Sequence, residues 1–317
     1  MKKLYFGILL LLLPIICFGQ VSGGLITNSA HYSSSSSYTT EYQALLDDWT
    51  TDPTGDTLTW QNDLIYSLDT LGVWDGMDVF YVFANVTNDN DEALVNWINP
   101  GTHDATLVNA PTFTRLEGFT GNASTNYINL NYNLTDDGVN AIQDSTTIGI
   151  YNRVDFGSGT YTDIGAGDAD DDEILAVYSS LSNSVALCYV NRSNQVTFSN
   201  SNSQGFYVAT RFQSDTVEYY KNGSLEAAEN QSSTGVSQYD IYILALDSAG
   251  TADNYSPAQV SIAFVMRGTR SPTEMADMFT IIETYMDNIG TGVVSETLWL
   301  LILLLPMLYR KRRRKRL

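Results

Sequence analysis

From residue 78 onward the chain is built of short strand-forming stretches, and this repetition limits what it can fold into more than any other feature. DVFYVFANV (78–86) is a continuous apolar run, followed by the turn NDNDE (88–92). TLVNA, YINLNYN, TIGIYNRVDF, ILAVYSS, VALCYVN, QVTFSN, FYVATRF, TVEYY, YDIYILALD and VSIAFVMRG come next, separated by Gly, Asn, Asp and Ser. Many short strands without helices between them predict an antiparallel sandwich or jelly roll. Asn222-Gly223, between TVEYYK and SLEAA, is a hairpin signal, because both residues tolerate the positive φ of a two-residue turn.

Helical periodicity brackets this region. Tyr42, Leu45, Leu46 and Trp49 fall on one helix face. After a turn at 51–56, Trp60, Leu64, Leu68 and Leu71 fall on another, with Asp56 or Thr57 as the expected N-cap. Near the end, Ser271, Pro272 and Glu274 supply a cap, a first-turn proline and a capping-box partner. Met275, Met278, Phe279, Ile282 and Met286 follow as an apolar stripe, and Gly290 can close the helix.

The ends read as export and retention. Lys2 and Lys3 precede an apolar stretch and the small cleavage-site residues of a secretory signal, expected over 1–19. SAHYSSSSSYTT belongs to a polar lead-in over 20–40. A linker at 289–296 leads to TLWLLILLLPMLY (297–309), expected to enter a membrane, and RKRRRKRL (310–317), expected on the cytoplasmic side. The apolar run has 13 residues, short of the roughly 20 of a comfortable crossing. Neither an LPxTG nor a PEP motif precedes it. The partition is therefore a helical segment at 41–77 packed on a sandwich at 78–288, exported and displayed at a cell surface.

Between the ends, charge is one-sided. Seven Lys and Arg face all 36 Asp and Glu of the chain. Nucleic acid is excluded as a partner, since its binding requires cations against phosphates. Cys188 is the only cysteine beyond the leader, so no internal disulfide can form and the core alone must hold the fold.

Four segments resemble the laminin-G-like, concanavalin A-like lectin/glucanase superfamily. LVNWINPGTHDATLVNAPTF (94–113) is similar to an early segment of that family through Trp97, Asn99, Gly101, His103 and Pro111. GFTGNASTNYINL (118–130), FYVATRFQSDTVEYYKNGSLEAA (206–228) and VSIAFVMRGTRSPTEMADMF (260–279) resemble later ones in the same order. The resemblance implies a jelly roll of two antiparallel sheets over about 78–288. Thr125-Asn126 stands where the family carries an acidic residue.

Candidate sites are few. Asp168, Asp170, Asp172 and Glu173 in GDADDDE (167–173) offer the oxygen ligands that Ca²⁺ prefers, without matching the EF-hand spacing. Asn88, Asp89, Asn90 and Asp91 form a second, sparser group. His103 beside Asp104 lacks any nucleophile motif, and Cys188 sits in an apolar strand. No strand carries the paired acids of a glucanase. Tyr161, Tyr207, Tyr239 and Tyr255 lie near expected loops. The function expected is a non-catalytic binding or adhesion module for a glycan or cell-surface partner. The alternatives are a polysaccharide hydrolase and a structural protein of a surface or virion.

Overall fold

The computed structural model describes residues 38–168, 172–269 and 271–290. The expected signal, most of the lead-in, the apolar segment at 297–309 and the basic tail lie outside these residues. Among the described residues no helix is long and apolar enough to cross a membrane.

Two sheets face each other. The first runs β13 (Ser224–Asn230), β12 (Thr216–Lys221), β11 (Gly205–Gln213), β6 (Thr146–Asn152), β17 (Gln259–Met266), β4 (Gly118–Thr120), β3 (Thr112–Thr114). β1 (Met77–Val82) pairs with the later half of β17, from Ile262 to Met266. The second runs β10 (Val196–Ser199), β9 (Val185–Val190), β8 (Leu175–Tyr178), β7 (Ile164–Gly167), β14 (Tyr242–Ile243), β5 (Tyr127–Asn129), β2 (Thr106–Val108). Within it, β15 (Leu246–Ser248) forms a hairpin with β16 (Thr251–Asp253) and a short parallel contact with β7. Every other pairing is antiparallel, as the sandwich reading requires.

Strand alternation sorts the first sheet's side chains into two cores. Val79, Tyr81, Ile148, Ile150, Tyr207, Ala209, Ala263 and Val265 point into the space between the sheets. Phe80, Val82, Tyr151, Phe206, Val208, Phe264 and Met266 point the opposite way, into a layer of helices. α1 (Thr40–Asp48) contributes Tyr42, Leu45 and Trp49 to that layer, and α2 (Asp56–Leu71) contributes Leu64, Ile65 and Leu68. α4 (Pro272–Asn288) adds Met275, Met278, Ile282, Tyr285 and Met286. Gly149 makes room in this layer: a Cβ there would lie 2.2 Å from the Phe264 ring. A single-turn helix, α3 (Leu134–Asp137), follows β5.

The local signals fold as their chemistry dictates, with one correction. Ser271 Oγ accepts the Glu274 amide at 3.3 Å and opens α4. Asn222 and Gly223 take φ 49° and 76° at the β12–β13 turn. The N-cap of α2, however, is Gly55 rather than Asp56 or Thr57. Gly55 has φ 65° and ψ −139°, a conformation open to glycine, so the helix begins one residue earlier than a side-chain cap would place it. Gly72 closes that helix in the left-handed region, and Val73 N donates to Leu68 O across the end.

Buried and half-buried polar groups fasten the layers where no crosslink does. Gln61 receives the Tyr42 hydroxyl at 2.8 Å and donates to Asn85 Oδ1 at 3.1 Å. The Asp78 carboxylate accepts the Tyr132 hydroxyl and three consecutive amides, Val139, Asn140 and Ala141. Arg211 is fully buried and donates to the carbonyls of Val190, Ser214 and Gln231, tying β11 to β9 and to the chain leaving β13. Cys188 is fully buried, and burial pushes its thiol far above the ordinary range.

Asp163 is also fully buried. Its Oδ2 accepts the Ser179 amide at 2.6 Å, but desolvation outweighs this and raises the carboxyl to about 6, against an ordinary 3.8. The folded state therefore holds this proton more tightly than the unfolded chain does. Its contribution to stability is complete below about pH 4 and is lost as pH rises through about 6. Asp163→Asn keeps the acceptor for Ser179 and removes the titration. In denaturant melts from pH 4 to 7.5, the variant should gain on the wild type by up to about 3 kcal/mol across that window.

Candidate functional site

The helices cover the outer face of the first sheet, so a sheet surface for a ligand must be sought on the second. There Ile128 and Ile243 point into the inter-sheet core. Their neighbours Tyr127, Asn129 and Tyr242 therefore point outward. Tyr127 stacks on Tyr242 with ring centroids 4.4 Å apart and planes 28° apart. Tyr255, from the loop after β16, closes on Tyr127 at 6.3 Å and 51°. Tyr242 is the buried floor, whereas Tyr127 and Tyr255 keep part of their faces in solvent.

Acceptors surround these rings. Asp240 Oδ2 accepts the Asn129 side-chain amide at 3.1 Å. Asp247 Oδ1 accepts Gly250 N at 2.7 Å, which closes the β15–β16 turn. Burial raises the Asp247 carboxyl, with the Asp240 charge adding to it and the Gly250 amide and Tyr242 hydroxyl opposing. The Tyr255 phenol is raised by burial, then by Tyr127 and by the charge of Asp253. Leu246 anchors the hairpin against Ile174, Ala176, Tyr178 and Leu187 on the same outer face.

The loop before Tyr127 is preorganised. Asn122 Oδ1 accepts the amides of Ser124, Thr125 and Asn126, while Asn126 Oδ1 accepts the Asn122 amide at 2.8 Å. Gly121 donates to Ala258 O at 3.0 Å, and a Cβ there would lie 1.9 Å from Ser256 O. Glycine thus lets the Tyr127 loop lie against the Tyr255 segment. Such an arrangement offers partly open aromatic faces for apolar ring surfaces and acceptors for hydroxyl or amine donors.

The sequence-derived candidates distribute differently. Asp168 Oδ1 accepts the amides of Asp172 at 3.0 Å and Glu173 at 3.3 Å, so one of its oxygens closes the loop. Burial raises the Glu173 carboxyl, with Asp168 and Asp172 adding their charges. Asp170 lies outside the described residues, and among those described no group of three potential metal ligands converges. Asn88 and Asn90 hold a turn together: Asn88 Oδ1 accepts Ala93 N, and both Asn90 amides donate to Glu92. His103 Nδ1 lies 2.5 Å from Asn131 O, while Asp104 accepts the amides of Asn96 and Gly101 and makes no bond to His103. Of the four tyrosines singled out, Tyr255 belongs to the ring cluster. Tyr207 is core, fully buried on β11. Tyr127 and Tyr242 were missed, although their outward placement follows from alternation about Ile128 and Ile243.

A groove of about 130 Å³ between α2 and α4, lined by Trp60, Leu64, Ile281 and Tyr285 among others, is a seam left by helix packing.

No protein-family model matches the chain, and no curated protein sequence matches it. Solved structures do align with it. The binding domain of botulinum neurotoxin serotype D aligns at TM-score 0.47 and 13% identity, over 68% of this chain and 52% of that one. A botulinum neurotoxin type C structure, from work on cell entry dependent on two ganglioside molecules, aligns at 0.48 and 13%, over 67% and 52%. Domain 4 of the extracellular arabinanase AbnA from Geobacillus stearothermophilus, in complex with arabinotriose, aligns at 0.43 and 12%, over 64% and 98%. The chain spans about half the length of the neurotoxin chains. At these identities and scores the likeness places no site.

Gly121→Ala should destabilise the protein by about 1–3 kcal/mol through overpacking. It should also change the near-ultraviolet circular dichroism of the displaced tyrosines. Denaturant melts and that spectrum check it; an unperturbed spectrum would show that Gly121 does not set the ring geometry.

Proposed function

We propose that this chain is a non-catalytic glycan-binding module, and that sugar engages the surface made by Tyr127, Tyr242 and Tyr255. The observation that carries the reading is the pair of partly open rings, Tyr127 and Tyr255, set 6.3 Å apart at 51° beside hydrogen-bonding side chains. Sugars present apolar faces edged by hydroxyls, and a ring with adjacent acceptors complements both. The site lies on the outer face of the second sheet, away from the helix layer. A hydrolase would need two carboxylates disposed across a sugar bond. In this cluster Asp247 is held by its own turn and Asp240 by Asn129, which favours binding over cleavage. Export at 1–19 and retention at 297–317 would make the module a surface adhesin.

Tyr255→Ala and Tyr127→Ala test the site. Each should weaken binding to the best oligosaccharide on a glycan array at least tenfold, equivalent to about 1.4 kcal/mol. Chemical melts should show the Tyr255 variant close to wild-type stability, since that ring is partly exposed. Failure of the wild-type protein to bind any glycan would end the proposal.

Calcium at Asp168, Asp170, Asp172 and Glu173 is a separate proposal resting on donor chemistry. Millimolar calcium, the range of weak extracellular sites, should raise the melting temperature, and Glu173→Gln should cancel the rise. A melting curve indifferent to calcium removes it.

A further inference from the structure

We infer that the tyrosine surface selects against anionic glycans and favours saccharides bearing free amines; this rests on the glycan-binding reading above. The rings define where a sugar lies. The charge around them decides which sugar can stay.

Three carboxylates border the rings. Asp240 is bonded to outward-facing Asn129, Asp247 lies beside the Tyr242 hydroxyl, and Asp253 is close enough for its charge to act on the Tyr255 phenol. Among the described residues, no cation balances them. Arg153 pairs with Glu117 at 2.7 Å, Arg192 donates to Ser232 O and Arg211 is interior. Lys221 bonds Asn200 and Asn202, and Arg267 donates to Gly72 O. Arg115 sits in the β3–β4 turn of the other sheet. Carboxylate recognition depends on charge-assisted donors, most often a bidentate arginine, and among the described residues no hydrogen bond or ion pair joins a Lys or Arg to these three carboxylates. A uronate or sialate carboxylate placed here would meet the like charge of Asp240 and Asp253. An ammonium would meet exposed Asp253 and half-buried Asp240. Because these groups face solvent, the preference should shrink as salt screens it.

Calorimetric titration of the full-length protein with three oligosaccharide sets of equal length tests the inference. The probes are N-acetylglucosamine oligomers, glucosamine oligomers and galacturonic acid oligomers. At low ionic strength glucosamine oligomers should bind at least tenfold tighter than their N-acetylated counterparts, and galacturonic acid oligomers should give no detectable binding. Near 1 M salt, where the screening length falls to about 3 Å, the amine preference should collapse toward one. The double variant Asp240→Asn, Asp253→Asn should lower the amine-to-acetyl affinity ratio at low salt by a similar factor. Galacturonic acid oligomers binding as tightly as the neutral set, or a ratio unmoved by salt and by the double variant, overturns the inference. If the neutral set binds and Tyr255→Ala abolishes it, the glycan-binding reading survives that loss. If none of the three sets, nor any other glycan, binds the wild-type protein, the binding reading fails and the charge selection falls with it.

Discussion

The structure depends on one sheet being buried on both faces. β1, β6, β11, β12 and β17 alternate between two apolar destinations, so each strand serves the inter-sheet core and the helix layer together. This double burial removes from water the side chains that a sandwich with an open face would expose, at about 25 cal/mol for each Å² of apolar surface. It also fixes register, because a shift by one residue would exchange the two sets of side chains. Tyr81 and Phe80, adjacent in sequence, belong to different cores for that reason.

Such a sheet needs polar anchoring at its margins, where strands end and backbone groups lose their partners. Asp78 gathers three consecutive amides and a tyrosine hydroxyl at the start of β1. Arg211 gathers three carbonyls at the far end of β11. Arg211 is fully buried, and its burial would be costly without those bonds, while Asp78 is half-buried. The outer face of the second sheet carries a different residue set, and it is there that Tyr127, Tyr242 and Tyr255 collect.

Much of the architecture was legible in the sequence because its signals are local. The Asn222-Gly223 turn, the Ser271 cap and the methionine stripe of α4 depend on a few neighbouring residues, and the strand stretches on simple alternation. Gly55 escaped because a side-chain cap was expected where a backbone conformation does the work. Gln61 escaped because a buried amide inside an amphipathic helix reads as a polar-face residue until Asn85 and Tyr42 are brought beside it. The tyrosine surface was legible only in part. Tyr255 was visible as a loop aromatic, but its partners come from β5 and β14, over 110 residues apart in the chain. Which face of a short strand looks outward depends on pairings that sequence spacing does not specify. Tyr207 shows the same gap from the other side: it lies just after a polar stretch yet fills the core.

The interior also holds every sulfur atom among the described residues. Cys188 and the methionines Met77, Met266, Met275, Met278 and Met286 are all at most 2% exposed. Among the described residues, peroxide or hypochlorite in the medium would find no exposed thioether or thiol to attack while the fold holds. Nor does the fold require an oxidase or isomerase to reach its native connectivity, since it has none to choose. Reductants and oxidants should therefore leave this domain equally intact.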